Sequence, residues 1–136
     1  MADTFFQQWL DRVGDAFFSD RFEIFRAAIR LPLEITSEDG GRTITDTDGL
    51  QAQFDMWMDM MKTQRVTDMI RVAHNVQWMS PDMICGDYYT ELLSNGQRIM
   101  DRFQSSMILE KRNDSWLATH VATGITRDIW PPILPN

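Results

Sequence analysis

Residues 83–103 read Met-Ile-Cys-Gly-Asp-Tyr-Tyr-Thr-Glu-Leu-Leu-Ser-Asn-Gly-Gln-Arg-Ile-Met-Asp-Arg-Phe, and the fold turns on this stretch. Ile84, Gly86, Tyr88, Thr90 and Leu92 alternate with more polar neighbours, the period of a strand with one buried face. Asn95-Gly96 then supplies the positive-φ pair that a two-residue hairpin turn requires. A turn of that length sets the register, placing Ser94 opposite Gln97 and, in step, Leu92 by Ile99, Thr90 by Asp101, Tyr88 by Phe103 and Gly86 by Ser105.

Two further turn signals, Ser80-Pro81-Asp82 and Asn113-Asp114, extend the hairpin into an antiparallel meander over 66–79, 82–94, 97–112 and 115–126. The last turn sets Trp116 against Lys111, His120 against Met107 and Ala122 against Ser105. The first sets Asn75 against Gly86 and Arg71 against Thr90. Upstream the period is helical. Phe5, Phe6, Trp9, Leu10, Val13 and Phe17 share one face of a first helix; Phe22, Phe25 and Ile29 share that of a short second one, with Asp20 and Glu23 as its capping pair. After Pro32, Leu31, Leu33 and Ile35 mark a strand that turns at Glu38-Asp39-Gly40-Gly41 and returns over Arg42 to Thr45. Asp48 and Gln51 then read as the cap of a third helix, with Leu50, Phe54, Trp57, Met58 and Met61 on its apolar face. The expected architecture is α+β, three N-terminal helices on a curved antiparallel sheet, as one domain over 1–128 with an extended tail over 129–136, where Pro131, Pro132 and Pro135 forbid a central strand.

A chain of 136 residues with a net charge of −7 and no basic stripe is a poor partner for nucleic acid or an anionic membrane surface. No basic leader or bilayer-length apolar run is evident, and a soluble cytoplasmic protein is expected. The single Cys85 excludes an internal disulfide or a cysteine-rich zinc site, and no cofactor motif is present. Ten Met residues suit core gap-filling or an adaptable ligand surface.

The order helix, helix, short hairpin, helix, long meander resembles the nuclear transport factor 2-like superfamily, which includes SnoaL-like cyclases, ketosteroid isomerases and dehydratases. The passage Phe17 to Ile35 carries the likeness, as does the closing hairpin Leu109-Glu110-Lys111-Arg112-Asn113-Asp114-Ser115-Trp116. The resemblance implies a cone-shaped sheet with a pocket under the helices. It brings no subfamily's catalytic set: no Tyr lies in the first helix, and His74 and His120 are the only histidines.

The inward face suggests where a pocket lies. Gly86, Ser105 and Ala122 form a projected row of small residues that leaves space beneath the helices. Asp101, on that face near the rim, would be a general base with a burial-raised pKa, or else an ion-pair partner of Arg71. His120, in the row of Met107, Ile84 and Gln77, would shuttle protons or rest on Gln77. Asp101 and His120 project about 20 Å apart along the strands, too far for a dyad. Tyr88 would donate to a developing oxyanion or pair with Phe103. Arg71 and Asn75 would orient a ligand on a wall shared with Phe103, Ser105 and Met107. Strand 66–79 presents Ile70, Val72, Val76 and Trp78 on the wrong face, which calls for either a β-bulge or an outer patch buried in a homodimer. His74 and Asp87 oppose each other on the outer face, as a relay fragment or a surface pair.

These features predict a cofactor-free binding domain for a small apolar or amphipathic molecule. It would act as an isomerase, cyclase or dehydratase with Asp101 and His120 catalytic; the alternatives are a non-catalytic binding or dimerisation module and a structural subunit.

Overall fold

The computed structural model describes residues 2–38 and 40–124. The expected tail from 129 lies outside them. Helix α1 runs Ala2–Ser19, α2 Phe22–Ala27 and α3 Thr47–Thr63; the strands are β1 Ile29–Ser37, β2 Gly40–Ile44, β3 Asp68–Ser80, β4 Met83–Ser94, β5 Gln97–Arg98, β6 Phe103–Arg112 and β7 Ser115–Thr123. They form one curved, open sheet in the order β2-β1-β7-β6-β4-β3, with β5 paired to β4. Neighbours run antiparallel except β1 and β7, which are parallel. The α+β architecture expected above is therefore present, with one parallel pair joining the first hairpin to the last strand.

Periodicity decides what α1 buries. Phe6, Trp9, Leu10 and Val13 are all within 3% of full burial, against the sheet. Each such side chain contributes roughly 1.5–3 kcal/mol by leaving water. Two side chains anchor the helix in register. Gln7 donates to Arg71 O at 2.6 Å and accepts from Ala73 N at 2.7 Å on β3, and Trp9 Nε1 donates to Trp116 O at 3.0 Å. On α3, Leu50, Phe54, Met58 and Met61 are buried as expected.

The caps differ from expectation. Asp46, not Asp48, caps α3, accepting from Gly49 N at 2.7 Å. Asp20 does not cap α2; it adopts φ 54° in the bend after α1, and Arg21, at the N-cap position, bonds Glu23 instead. Ile29 opens β1 rather than closing α2.

In the β3–β4 pair Arg71 faces Thr90 as read, although beside their turn Trp78 pairs with Ile84 and Ser80 with Met83, out of the expected step. Next to the other two turns the registers are as read, Ser94 with Gln97 and Lys111 with Trp116. Farther away they slip. The predicted strand 97–112 breaks over 99–102, so Thr90 pairs with Phe103, Tyr88 with Ser105 and Gly86 with Met107. The slip is an even number of residues, which keeps Phe103, Ser105 and Met107 facing the helices. In β7 an extra residue, Thr119, is accommodated between the Leu109–Ala118 and Ile108–His120 pairs. In β3 an extra residue lies between the His74–Asp87 and Gln77–Cys85 pairs, at Asn75 with φ 50°. Each bulge turns the rest of its strand over.

Candidate functional site

A cavity of about 150 Å³ lies between the helices and the sheet. Trp9, Val13 and Phe17 of α1, Phe25 of α2, and Trp57 and Met61 of α3 form its roof; Met69, Arg71, Tyr88, Thr90, Phe103, Ser105, Met107, Val121 and Thr123 line its sheet side. The roof is an aromatic cluster, in which Phe17 and Phe25 each stand 5.3 Å from Phe54 and Phe25 meets Trp57 edge-on at 6.0 Å. Such contacts hold the helices over the sheet without filling the space beneath.

One polar cluster enters this apolar space. The Arg71 guanidinium donates to Leu10 O on α1. It approaches there because Gly14, one turn on, has no side chain: a Cβ at Gly14 would lie 3.0 Å from Arg71 Nη2. The guanidinium carbon is also 5.7 Å from the centre of the Tyr88 ring. Tyr88 pairs across the strands with Ser105, and both Ser105 and Arg71 act on its hydroxyl. Burial pulls the Arg71 pKa below its ordinary value, opposed by Tyr88 and then by Asp11. Burial likewise pushes the Tyr88 phenol up, against the pull of Arg71, so at neutral pH its hydroxyl keeps its proton. No described carboxylate comes within 4.0 Å of Arg71. Asp11 is exposed on α1 and accepts a hydrogen bond from Gln7.

The structure places Arg71, Tyr88, Phe103, Ser105 and Met107 together at the cavity wall. The other candidates lie elsewhere. Asp101 is exposed and outside any strand, in the break between β5 and β6, so the expected inward carboxylate and its pairing with Arg71 are corrected. His120 is exposed, turned outward by the bulge at Thr119, and its Nδ1 is 3.0 Å from Thr119 Oγ1. The same bulge exposes Ala122, and the bulge in β3 leaves Gln77 opposite Cys85. Asn75, at the β3 bulge, is exposed and donates to Asp87 Oδ2 at 3.2 Å on the outer face.

The row of small residues is corrected too. The space above Gly86 is filled by the Phe6 ring, whose atoms would lie 2.7–2.9 Å from an added Cβ. Only Ser105 of that row borders the cavity. Thr90 and Thr123 are further polar groups on its wall, and the alternation of the strand places Thr90 in the inward row. Gln7 is the clamp between α1 and β3; a lone Gln beside an apolar helical stripe gives no sign of that role.

On the outer face, Asp87 accepts from Ser106 Oγ as well as from Asn75. The His74 ring stacks on Tyr89 at 4.5 Å, and the Arg102 guanidinium carbon lies 4.3 Å from the same ring. His74 Nε2 makes no hydrogen bond, so His74 and Asp87 are neighbours without forming a relay. The β3 bulge moves Val76 and Trp78 to the helix side, where Trp78 meets Phe5 and Trp116. Ile70 and Val72, before the bulge, stay outside at 43% and 52% exposure. A second hollow, between α1, α2 and the β6–β7 turn, is rimmed by exposed Gln8, Arg12, Glu23 and Asp114 and is solvated surface.

No family model matches the sequence, and no curated protein matches it. Solved structures do match in fold. A nuclear transport factor 2-like protein of unknown function from Pseudomonas putida KT2440 aligns over 92% of this chain and 87% of its own, at 10% identity and a TM-score of 0.68. The chain has the nuclear transport factor 2-like fold. A second such protein of unknown function, from Shewanella oneidensis MR-1, aligns over 87% of this chain and 94% of its own, at 12% identity and a TM-score of 0.64. A provisionally assigned ketosteroid isomerase from Shewanella frigidimarina aligns over 86% of this chain and 92% of its own, at 14% identity and a TM-score of 0.60. The resemblance seen in the order of elements is thus one of fold, with no subfamily singled out. Among the described residues no three His, Cys, Asp or Glu side chains come together as a metal site, and no helix is long and apolar enough to cross a membrane.

Proposed function

We propose that this domain binds a small, mostly apolar molecule carrying oxygen, in the cavity between the helices and the sheet. The observation that carries the proposal is the Arg71–Tyr88–Ser105 cluster at the wall of an otherwise apolar space. A concave, mostly apolar pocket with a few convergent polar groups is the usual form of a small-molecule site. Binding is favoured over acid–base catalysis because the described lining contains no Asp, Glu or His. An isomerase, cyclase or dehydratase needs a group to take and return a proton, and the two candidates for that work, Asp101 and His120, are exposed outside the cavity.

The test uses the full chain and its own fluorophores, since Trp9 and Trp57 line the cavity. Titration with toluene and phenol should shift the tryptophan emission saturably. Ser105→Leu, which fills the space, should abolish the response while leaving the unfolding transition in place. An unchanged response in Ser105→Leu would place binding elsewhere and end the proposal.

A second observation supports a homodimer through the outer sheet face. Ile70 and Val72 are exposed side chains on β3, which lies at the end of the strand order, and Tyr89 of β4 continues the patch. Apolar area gathered on an uncovered face marks an interaction surface.

A further inference from the structure

Among the described residues, Arg71 is the one cation lining the cavity, and no carboxylate lies within 4.0 Å of it. Arg71 stays protonated in proteins, and its guanidinium offers five N–H donors in a rigid plane. One neutral acceptor, Leu10 O, meets it, and the Tyr88 ring lies beside it with its centre 5.7 Å from the guanidinium carbon. The carboxylates of the described chain stand off: none is within 4.0 Å, and Asp11, the acid that acts on it, is solvated on the far side of α1's contact. A charge drawn partly out of water, as at half-buried Arg71, is costly unless paired and hydrogen-bonded. Gly14 and Gln7 nevertheless hold this one in place, the first by leaving room and the second by pinning the β3 backbone at Arg71 to α1. A guanidinium fixed at the edge of an apolar space, with donors unspent, is arranged for an anion that arrives with the ligand.

We propose that the ligand is a small monocarboxylate, its carboxylate on Arg71, Tyr88 and Ser105 and its apolar part, one ring in size, under the aromatic roof. This deepens the binding reading above and rests on it. The fork of Arg71 matches the two oxygens of a carboxylate, and the Tyr88 hydroxyl is a further donor at the same point. One cation suits a single negative charge; a phosphate dianion would leave excess charge in a dry site. The size follows from the volume. About 150 Å³ equals the engineered cavity that holds benzene.

The experiment compares benzoate with its neutral isostere benzamide, and both with toluene, by titration calorimetry on the full chain at neutral pH. Benzoate should bind roughly 10- to 100-fold more tightly than benzamide, the range for a hydrogen bond to a charged group. Arg71→Met should erase that preference while benzamide and toluene still bind. Tyr88→Phe should reduce it in part. If Arg71→Met loses its cooperative unfolding transition, Arg71→Lys takes its place: it keeps charge without the fork and should bind benzoate more weakly than the parent, with benzamide unchanged. Equal affinity for benzoate and benzamide, or a preference that survives these substitutions, overturns the carboxylate assignment and leaves the cavity as a neutral site. Failure of all three probes to bind overturns the cavity reading as well.

Discussion

The two faces of this sheet carry the same kinds of side chain under opposite conditions. Beneath the helices, Arg71 meets Tyr88, and Tyr88 pairs across the strands with Ser105, in a space roofed by Trp9, Phe17 and Trp57. On the open side, Arg102 meets Tyr89 and His74, and Asp87 meets Ser106 and Asn75. Water screens the outer set, so each of its contacts is worth little. The inner set is partly shielded, and its one charge among the described residues, Arg71, has no carboxylate within 4.0 Å. The alternation of strand residues distributes polar groups to both faces without preference. The helices, by covering one face, decide which of those groups is held in an energetically demanding state.

Three substitutions sharpen that contrast. The largest effect belongs to the contact that closes the inner face. Phe6→Ala removes a fully buried ring and should cost about 3–5 kcal/mol in urea unfolding. A loss below about 1 kcal/mol, as at an exposed site, would mean that α1 does not seal the sheet there. Next comes the reciprocal change. Gly86→Ala sets a methyl against the Phe6 ring, where the nearest ring atom would be 2.7 Å away, and should cost about 1–3 kcal/mol by overpacking. Full tolerance of Gly86→Ala would show that the ring moves freely, removing the packing that separates α1's front end from the cavity. The smallest effect on stability lies outside. Ile70→Ser with Val72→Ser should change monomer unfolding by no more than about 0.5 kcal/mol per site, yet turn a dimer into a monomer in sedimentation at micromolar concentration. A parent chain that sediments as a monomer would leave the outer face without a partner and end the homodimer proposal.

Much of the fold was legible because its signals are local. The apolar stripe of α1 and that of α3 follow from side-chain spacing on a helix, and Asn95-Gly96 and Asn113-Asp114 specify their turns by the positive φ they tolerate. Arg71, Tyr88, Phe103, Ser105 and Met107 were assigned inward for the same reason, and they reach the cavity wall. The expectations that fail carry a register through a break or a bulge. The count to Asp101 runs through residues 99–102, where the strand breaks, and the counts to His120 and Asn75 run through bulges.

The sequence by itself therefore determined most of the elements, the apolar faces of the helices and the pairing next to the Asn95-Gly96 and Asn113-Asp114 turns, since all of these are set by neighbours a few residues away. Tertiary structure alone decided the parallel seat of β1 beside β7, the bulges at Thr119 and Asn75, and the filling of the space over Gly86 by Phe6. A bulge leaves one residue out of the ladder in order to aim the rest of the strand. Whether that exchange is favourable depends on what packs against the strand from elsewhere in the chain. For β3, α1 packs against it: Val76 and Trp78 turn toward the helix after Asn75, while Arg71, before it, stays under Gly14 at the cavity wall.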